Sequence, residues 1–353
     1  MAEGVKKLNK LLADPHTTEI MINGLNAVFV EKDGKTHKLD LKFSQEELQE
    51  VIDQFFIKNG KIVSEHHPYA DVCLQDGSRL NIILYPMARC GTTITIRKFS
   101  QEIKSLEDLL EKNSLSKNMA NFLTSCIKGK LNILFSGATG TGKTTTLEML
   151  SYSIPKDERI VTIEDTAELQ LHQPNLVPLE TRDPDEEGKG GVALKDLIKN
   201  ALRMRPDRII LGEVRGEEAL DMVQAMATGH TGTLAVVHGS SPKDILGRIE
   251  TMVLSSGIKL PLEEIRKMLA STLDIVVQHQ RFTDGTRKIT SITEVRGMDQ
   301  QEISLQDLFV FRREGKTEDG KIKGTYKTAM KRYPKFFTDM RRMNLIDDKI
   351  FSD

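Results

Sequence analysis

The stretch GATGTGKTTT, residues 137–146, constrains the fold more than any other part of the chain. It follows the apolar run LNILF at 131–135 and matches the phosphate-binding pattern G-x-x-x-x-G-K-[ST], which ends at Lys143 and Thr144. Glycines let several backbone N–H groups converge on phosphate oxygens without a clash from Cβ atoms. The pattern therefore predicts a buried strand, a phosphate-binding loop and a helix whose positive N-terminal end faces the same anion.

Each part of this loop has an expected role. Lys143 would bridge the β- and γ-phosphates of ATP, and the Thr144 hydroxyl would ligate Mg²⁺. The alternative is a chance match in a flexible turn, which the flanking strand and helix disfavour. The loop alone does not separate a kinase, a GTPase, a helicase or a motor. The predicted nucleotide-binding residues here are Gly137, Thr139, Gly140, Thr141, Gly142, Lys143, Thr144 and Thr145.

Strands alternate with helices from about residue 105 onward, which predicts an α/β domain with a parallel sheet covered on both faces. Its strands are expected at 131–136, 159–163, 208–212 and 233–237. The charged, glycine-rich segment VPLETRDPDEEGKGGVAL, residues 177–194, interrupts this pattern and is predicted to be a mobile loop. The basic stretch Lys321–Arg342 is predicted to form a tail.

Residues 1–99 have a different pattern, typical of a smaller α+β unit with mostly antiparallel strands. Asp33-Gly34 and Asp76-Gly77 each lie between alternating segments and predict hairpin turns. Ser44, with Glu47 three residues later, predicts a capping box at the start of a helix. The polar connection at 100–105 is a candidate hinge.

Composition narrows the functional classes. The chain has 353 residues, a formal net charge of −1, 5% aromatic residues and no Trp, which disfavours a nucleic-acid partner. Its three cysteines form no CxxC pair, which speaks against a zinc site and fits a reducing cytoplasm. No apolar run reaches the ~18 residues of a membrane helix, so we expect work at a membrane to require a partner.

Glu213 follows an apolar strand in RIILGEVRG, residues 208–216. A carboxylate at the end of a strand beside a phosphate loop can hold Mg²⁺ through water or orient the attacking water. Gly212 stands where such patterns usually have Asp, so direct metal ligation is doubtful. The alternative is a turn glutamate at a strand end.

Three acids, Glu164, Asp165 and Glu168, lie in an earlier segment, VTIEDTAEL at 161–169, which begins as another β-like run. Hydrolysis requires one carboxylate to position or deprotonate water. Glu164 is also a candidate Mg²⁺ ligand, together with Thr144 and Glu213. The alternative is a group of acids that favours a helix start.

His230 and His238 flank a strand in TGHTGTLAVVHGSS, residues 228–241. A histidine near a γ-phosphate can donate a hydrogen bond to it and so respond to its presence. Each is equally compatible with a structural role. The zinc-binding spacing H-E-x-x-H is absent, which argues against a metal site.

Taken in chain order, the four elements at 137–146, 161–169, 208–216 and 228–241 resemble those of the secretion and traffic ATPase superfamily. Members of this superfamily power type II secretion, type IV secretion and type IV pili. The four elements are similar to its Walker A, Asp box, Walker B and His box. The similarity is tightest in NALRMRPDRIILGEVRGEEALDMVQAMATGHTGTLAVVHGSS and extends to LLADPHTTEIMING near the N-terminus. Together with SITEVRGMDQQEISLQDLFVF, the chain resembles the CpaF-type ATPase of the Flp/Tad pilus.

The resemblance implies residue roles. Glu168 matches the catalytic base, Glu213 the Walker B glutamate, and His238 and His230 the His-box pair. Arg79 and Arg97 lie where related N-terminal domains present arginines to phosphates, which suits a permanently charged fork of donors. Surface salt bridges are the alternative for each arginine. Weaker candidates are Arg203, Arg205 and Arg215.

The resemblance also implies an assembly: a homohexameric ring at the cytoplasmic face of the inner membrane, acting on platform proteins. Residues 1–99 would be a PAS-like N-terminal domain, 100–105 a hinge, and 106–353 a RecA-like ATPase domain with a C-terminal extension. ATP hydrolysis with Mg²⁺ would power assembly, or also retraction, of a Flp/Tad pilus or related secretion machinery. Alternatives are a hexameric nucleic-acid translocase, a nucleotide-gated scaffold that does not hydrolyse ATP, and a small-molecule kinase.

Overall fold

The structure, a computed structural model, describes residues 2–32, 35–74, 76–98, 103–185, 187–318 and 320–352. The chain divides into two units. Unit 1 comprises Met1–Glu102 together with Arg182–Gly191, and unit 2 comprises Ile103–Thr181 together with Val192–Asp353. The predicted turn at Asp33-Gly34 and residues 100–102 of the predicted hinge lie outside the described residues.

Unit 1 contains a six-stranded antiparallel sheet in the order β3-β2-β1-β6-β5-β4. Its elements are α1 (Glu3–Leu12), β1 (Thr17–Asn23), β2 (Ala27–Lys32), β3 (Lys35–Leu39), α2 (Gln45–Phe55), β4 (Tyr69–Cys73), β5 (Arg79–Ile83) and β6 (Thr93–Arg97).

Local sequence explains these elements. The predicted capping box is confirmed: Ser44 Oγ accepts a hydrogen bond from the Glu47 N–H, and the Glu47 carboxylate accepts one from the Ser44 N–H. The predicted hairpin at Asp76-Gly77 is confirmed by the antiparallel pairing of β4 with β5. Alternate residues of each strand, such as Ile94 and Ile96 of β6, are fully buried, as a sheet with one apolar face requires.

Unit 2 contains a nine-stranded sheet in the order β15-β14-β13-β12-β7-β11-β10-β8-β9. The strands from β12 to β9 are parallel, and β13 to β15 continue the sheet in antiparallel fashion. Its elements are α3 (Leu106–Glu111), α4 (Lys117–Lys128), β7 (Ile133–Ser136), α5 (Lys143–Ser151), β8 (Ile160–Glu164), β9 (Leu176–Glu180), α6 (Leu194–Ala201), β10 (Arg208–Val214), α7 (Glu218–Ala227), β11 (Leu234–Val237), α8 (Pro242–Ser255), α9 (Leu262–Thr272), β12 (Ile275–Arg281), β13 (Arg287–Asp299), β14 (Glu302–Lys316), β15 (Ile322–Thr328) and α10 (Phe337–Arg342).

Both faces of this sheet are covered. Ile133 and Phe135 of β7 belong to one apolar cluster, and Leu134 belongs to the cluster on the opposite face. Because successive side chains of a strand point to opposite faces, a strand covered on both sides carries apolar side chains toward both of them. The predicted α/β fold is thereby confirmed.

The prediction of a loop throughout residues 177–194 is wrong at its first residues. Leu176–Glu180 form β9, which pairs in parallel with β8 at the edge of the sheet. Pro178 lies within β9, and an edge strand tolerates proline because one side of it needs no backbone donor.

The prediction of a basic tail at Lys321–Arg342 is also wrong. The segment contributes β15, which pairs with β14, and then α10. Phe336 and Phe337 are buried in the same apolar cluster as Phe122. Burial of aromatic side chains anchors the segment while its charged side chains remain at the surface.

Candidate active site

The loop between β7 and α5 has the backbone conformation of a phosphate cradle. Gly137, Gly140 and Gly142 have φ values of 152°, 72° and 95°, which side chains other than glycine rarely adopt. A Cβ atom at Gly137 would lie 2.6 Å from Thr141 Oγ1 and 2.7 Å from the His279 carbonyl oxygen. Glycine is therefore required at the end of β7 by both conformation and space.

The Lys143 ammonium binds its own loop. Nζ donates hydrogen bonds to the carbonyl oxygens of Gly137, at 3.0 Å, and Ala138, at 2.8 Å. Thr141 Oγ1 also donates to the Ala138 carbonyl, at 2.8 Å. Because these acceptors are neutral, a phosphate would compete for the ammonium through stronger, charge-assisted hydrogen bonds.

These residues fit a triphosphate. The glycine conformations, the N-terminus of α5 and the Lys143 charge all favour an anion at one point. Thr144 and Thr145 are half-buried in the first turn of α5, and Thr139 is exposed on the loop. Among the described residues, no three His, Cys, Asp or Glu side chains form a metal-binding group. The Thr144 hydroxyl suits Mg²⁺, which keeps waters and phosphate oxygens as its other ligands.

His279 on β12 supports this loop, and the sequence reasoning missed it. Nδ1 lies 3.1 Å from the Ser136 carbonyl oxygen, and Nε2 lies 3.1 Å from Thr146 Oγ1. Burial lowers the pKa of His279 to about 4, so the imidazole is neutral at pH 7. A polar pair, Gln278-His279, that ends an apolar run was the available sequence signal.

Arg287 on β13 was also missed. Its Nε donates a hydrogen bond to the Gly140 carbonyl oxygen at 3.0 Å. The carbonyl and the following N–H of a trans peptide point in opposite directions, so the Thr141 N–H is turned away from Arg287. Arg287 therefore fixes the orientation of one peptide unit in the phosphate loop.

Glu213, near the end of β10, joins two further side chains. Arg215 Nη2 donates to Glu213 Oε2 at 2.6 Å, and His238 Nε2 lies 2.8 Å from Glu213 Oε1. Burial acts to raise the pKa of Glu213, but the Arg215 hydrogen bond and the charges of Arg215, Lys143 and, in acid, protonated His238 outweigh it, and the pKa lies below its ordinary value. Glu213 is therefore ionised at pH 7.

His238, directly after β11, is neutral at pH 7. Burial lowers the pKa of His238, and the Lys143 charge lowers it further, although Glu213 opposes this effect. Its contact with a carboxylate oxygen requires a proton on Nε2. The structure thus brings Lys143, Glu213 and His238 together at the carboxyl ends of β7, β10 and β11.

Glu164 ends β8 and is buried. Its Oε1 accepts hydrogen bonds from the backbone N–H groups of Glu168, at 3.0 Å, and Leu169, at 3.1 Å. A Cβ atom at Gly212 would lie 2.6 Å from Glu164 Cγ, so Glu164 fills the space that an aspartate side chain would take. This explains the glycine at position 212.

Glu168 is half-buried beyond β8. The hydrogen bond to Glu213 raises the pKa of Arg215, and the charges of Asp165 and Glu168 raise it further. Glu168 therefore lies within electrostatic range of the same arginine that binds Glu213.

The structure does not bring every candidate to this edge of the sheet. His230 precedes β11, and its Nδ1 lies 3.3 Å from Thr228 Oγ1. Arg203 and Arg205 precede β10. Since the phosphate loop follows the carboxyl end of β7 and these strands are parallel, all three lie at the opposite edge of the sheet. Arg215, in contrast, is part of the Glu213 network.

Arg79 and Arg97 are register partners on β5 and β6 of unit 1. Their strand neighbours Leu80 and Ile96 are fully buried. Because side chains alternate along a strand, both arginines lie on the face of the sheet opposite the unit 1 core. This places two positive charges side by side.

The fold and this site define a P-loop nucleotide-binding protein with a RecA-like arrangement of strands. More particularly, residues 1–323 match the family described as Type II/IV secretion system protein, and the chain belongs to that family. The predicted membership of the secretion ATPase superfamily, a class of ATP-hydrolysing enzymes, is confirmed.

Individual relatives agree. The chain is 31% identical over 308 residues to the protein VirB11 of Agrobacterium fabrum, covering 79% of this chain and 89% of VirB11. It is 30% identical over 300 residues to a putative conjugal transfer protein of Mycobacterium tuberculosis, covering 83% and 85%. The Legionella pneumophila ATPase DotB shares the fold, with a TM-score of 0.60, 18% identity, and coverage of 84% of this chain and 81% of that one.

Within the part of the chain that the structure describes, no helix combines the length and apolarity needed to cross a membrane.

Proposed function

We propose that this chain hydrolyses ATP at the β7–α5 loop and that a ring of identical subunits uses the energy to assemble a Flp/Tad pilus. The observation that carries the catalytic part is the convergence of Lys143 with the Glu213–His238 pair. A cationic phosphate binder, an ionised carboxylate and a neutral imidazole at one strand edge suit phosphoryl transfer to water.

In the proposed reaction, the Lys143 ammonium first exchanges its hydrogen-bond partners. The ammonium leaves the carbonyl oxygens of Gly137 and Ala138 and binds the β- and γ-phosphates. Mg²⁺, held by the Thr144 hydroxyl, would neutralise charge on the triphosphate. Glu168 accepts a proton from the attacking water, and Glu213 orients that water with His238. Of the three predicted metal-binding residues, Thr144 is favoured, since the hydrogen bonds of Glu164 and Glu213 occupy their carboxylates.

Arg79 and Arg97 supply a further part of the proposal. They would contact the phosphates only when nucleotide is present, which gives ATP the differential affinity that any ligand-driven closure requires. In this scheme residues 1–99 form a PAS-like domain, 100–105 a hinge and 106–353 the ATPase domain. Release of phosphate would then free the arginines and reopen the subunit.

The assembly is the finer part of the proposal. The resemblance to the CpaF-type ATPase supports three points. The chain would form a homohexamer, dock on an inner-membrane platform protein and lie at the cytoplasmic face of that membrane. Two relatives at 30–31% identity, a VirB11 protein and a putative conjugal transfer protein, support work at a membrane-bound transport machine. Successive closure around the ring would move the platform.

The test is phosphate release by the purified chain with ATP and Mg²⁺. Lys143→Ala should abolish nucleotide binding or turnover, and Glu168→Gln should bind ATP yet lose about 10²–10³-fold in kcat. Matched controls are the exposed Lys156→Ala and Glu217→Gln, which should behave as the wild type. Native mass spectrometry with ATP should show a hexamer.

Two outcomes contradict the proposal. Near-normal turnover in Glu168→Gln would remove this glutamate as the base. DNA-stimulated turnover, with salt-sensitive DNA binding, would favour a nucleic-acid translocase.

A further inference from the structure

We propose that Glu148 is a positioning residue: through a backbone hydrogen bond it ties the phosphate-loop helix α5 to the segment that carries Glu168. This rests on the proposed hydrolysis of ATP. Glu148 follows Thr144 by one helical turn, so the two side chains share one face of α5.

Two glutamates, Glu148 and Glu164, bind the backbone N–H groups of residues 168–170. Glu148 Oε1 accepts a hydrogen bond from the Gln170 N–H at 3.0 Å. Glu164 Oε1 accepts hydrogen bonds from the N–H groups of Glu168 and Leu169. Three consecutive N–H groups, at 168, 169 and 170, are therefore bound by two carboxylates, one from α5 and one from β8.

Burial of the Glu148 carboxyl group lowers the stability of the fold, which a purely structural role would not explain. Glu148 is only 6% exposed, and within the described residues its carboxylate forms no ion pair with Lys, Arg or His. Burial raises the pKa of Glu148 to about 7, and the charge of Glu168 adds to the effect. Buried carboxylates without a cation destabilise a fold, and such groups concentrate at functional sites.

The Glu148 hydrogen bond couples the position of α5 to the position of Glu168. α5 begins with Lys143 and Thr144, the residues that meet the phosphates and Mg²⁺ in the proposed function. Glu148 transmits the position of this helix to the backbone of Gln170, two residues beyond Glu168. Glu148 thus sets the place of the proposed base relative to the nucleotide without touching either.

The test compares two variants of similar size. Glu148→Gln keeps an oxygen that accepts the Gln170 hydrogen bond, whereas Glu148→Met keeps the length and removes the acceptor. We expect Glu148→Met to lose about tenfold or more in kcat, because small misplacements of reacting groups are expensive. KM for ATP should stay within about twofold, and Glu148→Gln should retain most of the wild-type kcat.

A double-mutant cycle separates positioning from a general structural defect. If Glu148 acts through Glu168, Glu148→Met should lower the residual kcat of Glu168→Gln by less than about twofold. A loss in that background as large as in the wild type would overturn the inference. Hydrogen exchange should also show faster exchange of the amides at 168–170 in Glu148→Met; unchanged protection there would likewise overturn it.

A third variant covers the case in which Glu148→Met does not fold. Glu148→Asp keeps the charge but shortens the reach to Gln170, and it should show the same loss of kcat and of amide protection. The two proposals fail in different ways. A wild-type chain without ATPase activity contradicts the proposed function, whereas an active wild type with normal kcat in Glu148→Met and Glu148→Asp contradicts only the positioning role.

Discussion

His238 Nε2 donates a hydrogen bond to Glu213 Oε1 at 2.8 Å, which joins a neutral imidazole to an ionised carboxylate at the carboxyl ends of two neighbouring strands. The pair is within electrostatic range of Lys143, whose charge lowers the pKa of both residues. A γ-phosphate bound to Lys143 would compete for the same His238 proton.

Substitution of Glu213 or His238 should lower the rate of ATP turnover without weakening nucleotide binding. We expect Glu213→Gln and His238→Ala each to lower kcat about 10²-fold, because both groups would act on the attacking water or the γ-phosphate, with ADP affinity preserved. Phosphate-release kinetics and ADP titration measure the two effects. Glu217→Gln is the matched exposed control. Equal losses in ADP affinity and kcat would show that the pair only maintains the loop.

Arg287→Gln should weaken ATP and ADP alike. Its hydrogen bond orients the Gly140 peptide, which is needed whether or not a γ-phosphate is present. Loss of a hydrogen bond from a charged donor corresponds to about tenfold in affinity. Arg281→Gln is the control, since Arg281 is exposed and is the register partner of Arg287 on β12. A loss confined to ATP would instead indicate contact with the γ-phosphate.

Arg97→Ala should weaken ATP binding more than ADP binding. If Arg97 contacts the γ-phosphate, we expect about a tenfold loss for a non-hydrolysable ATP analogue and little change for ADP. Arg89→Ala, an exposed arginine elsewhere in unit 1, should leave both affinities unchanged. Parallel losses for the two nucleotides would argue against the γ-phosphate role.

Acid should destabilise the chain through His279. The folded pKa of about 4 lies below the ordinary value of 6.5, so between these values the unfolded chain binds more protons. The contribution of His279 to the free energy of unfolding therefore falls as pH drops through this window, by up to about 3 kcal/mol. Denaturant unfolding of the wild type and His279→Gln across the window measures this contribution.

The comparison with His279→Gln is needed because two buried acids change the free energy of unfolding with pH in the opposite direction to His279. Burial raises the pKa of Glu148 and Glu164 to about 7, so the folded chain binds more protons than the unfolded one and gains stability as pH falls below 7. These acids remain in both proteins. The free energy of the wild type should therefore fall relative to that of the variant, and parallel pH curves would contradict a buried neutral His279.

Local patterns predicted much of the fold. The glycine spacing of the phosphate loop, the Ser44 capping box and the apolar strands of the parallel sheet depend on interactions between residues close in sequence. β9 and β15 were missed because their pattern is weak: Leu176–Glu180 contains a proline, and Ile322–Thr328 alternates with lysines. Pairing with β8 and β14 supplied what the sequence lacked.

The site divides in the same way. The phosphate-loop motif predicted Lys143, the end of an apolar strand predicted Glu213, and the resemblance to the secretion ATPases predicted the role of His238. All three lie at the same end of the sheet, because parallel strands bring their carboxyl ends together. The same rule places His230, before β11, at the other edge. Glu148, His279 and Arg287 carry no motif of their own, since each acts on residues far away in the chain.

The sequence by itself determined that a phosphate-binding loop joins a buried strand to a helix, because glycine conformations and apolar periodicity are local properties. Only the tertiary structure decided which acids and bases meet that loop. Strand order and register set these distances, and they depend on packing between segments more than a hundred residues apart, as the contacts of His279 with Ser136 and of Arg287 with Gly140 show.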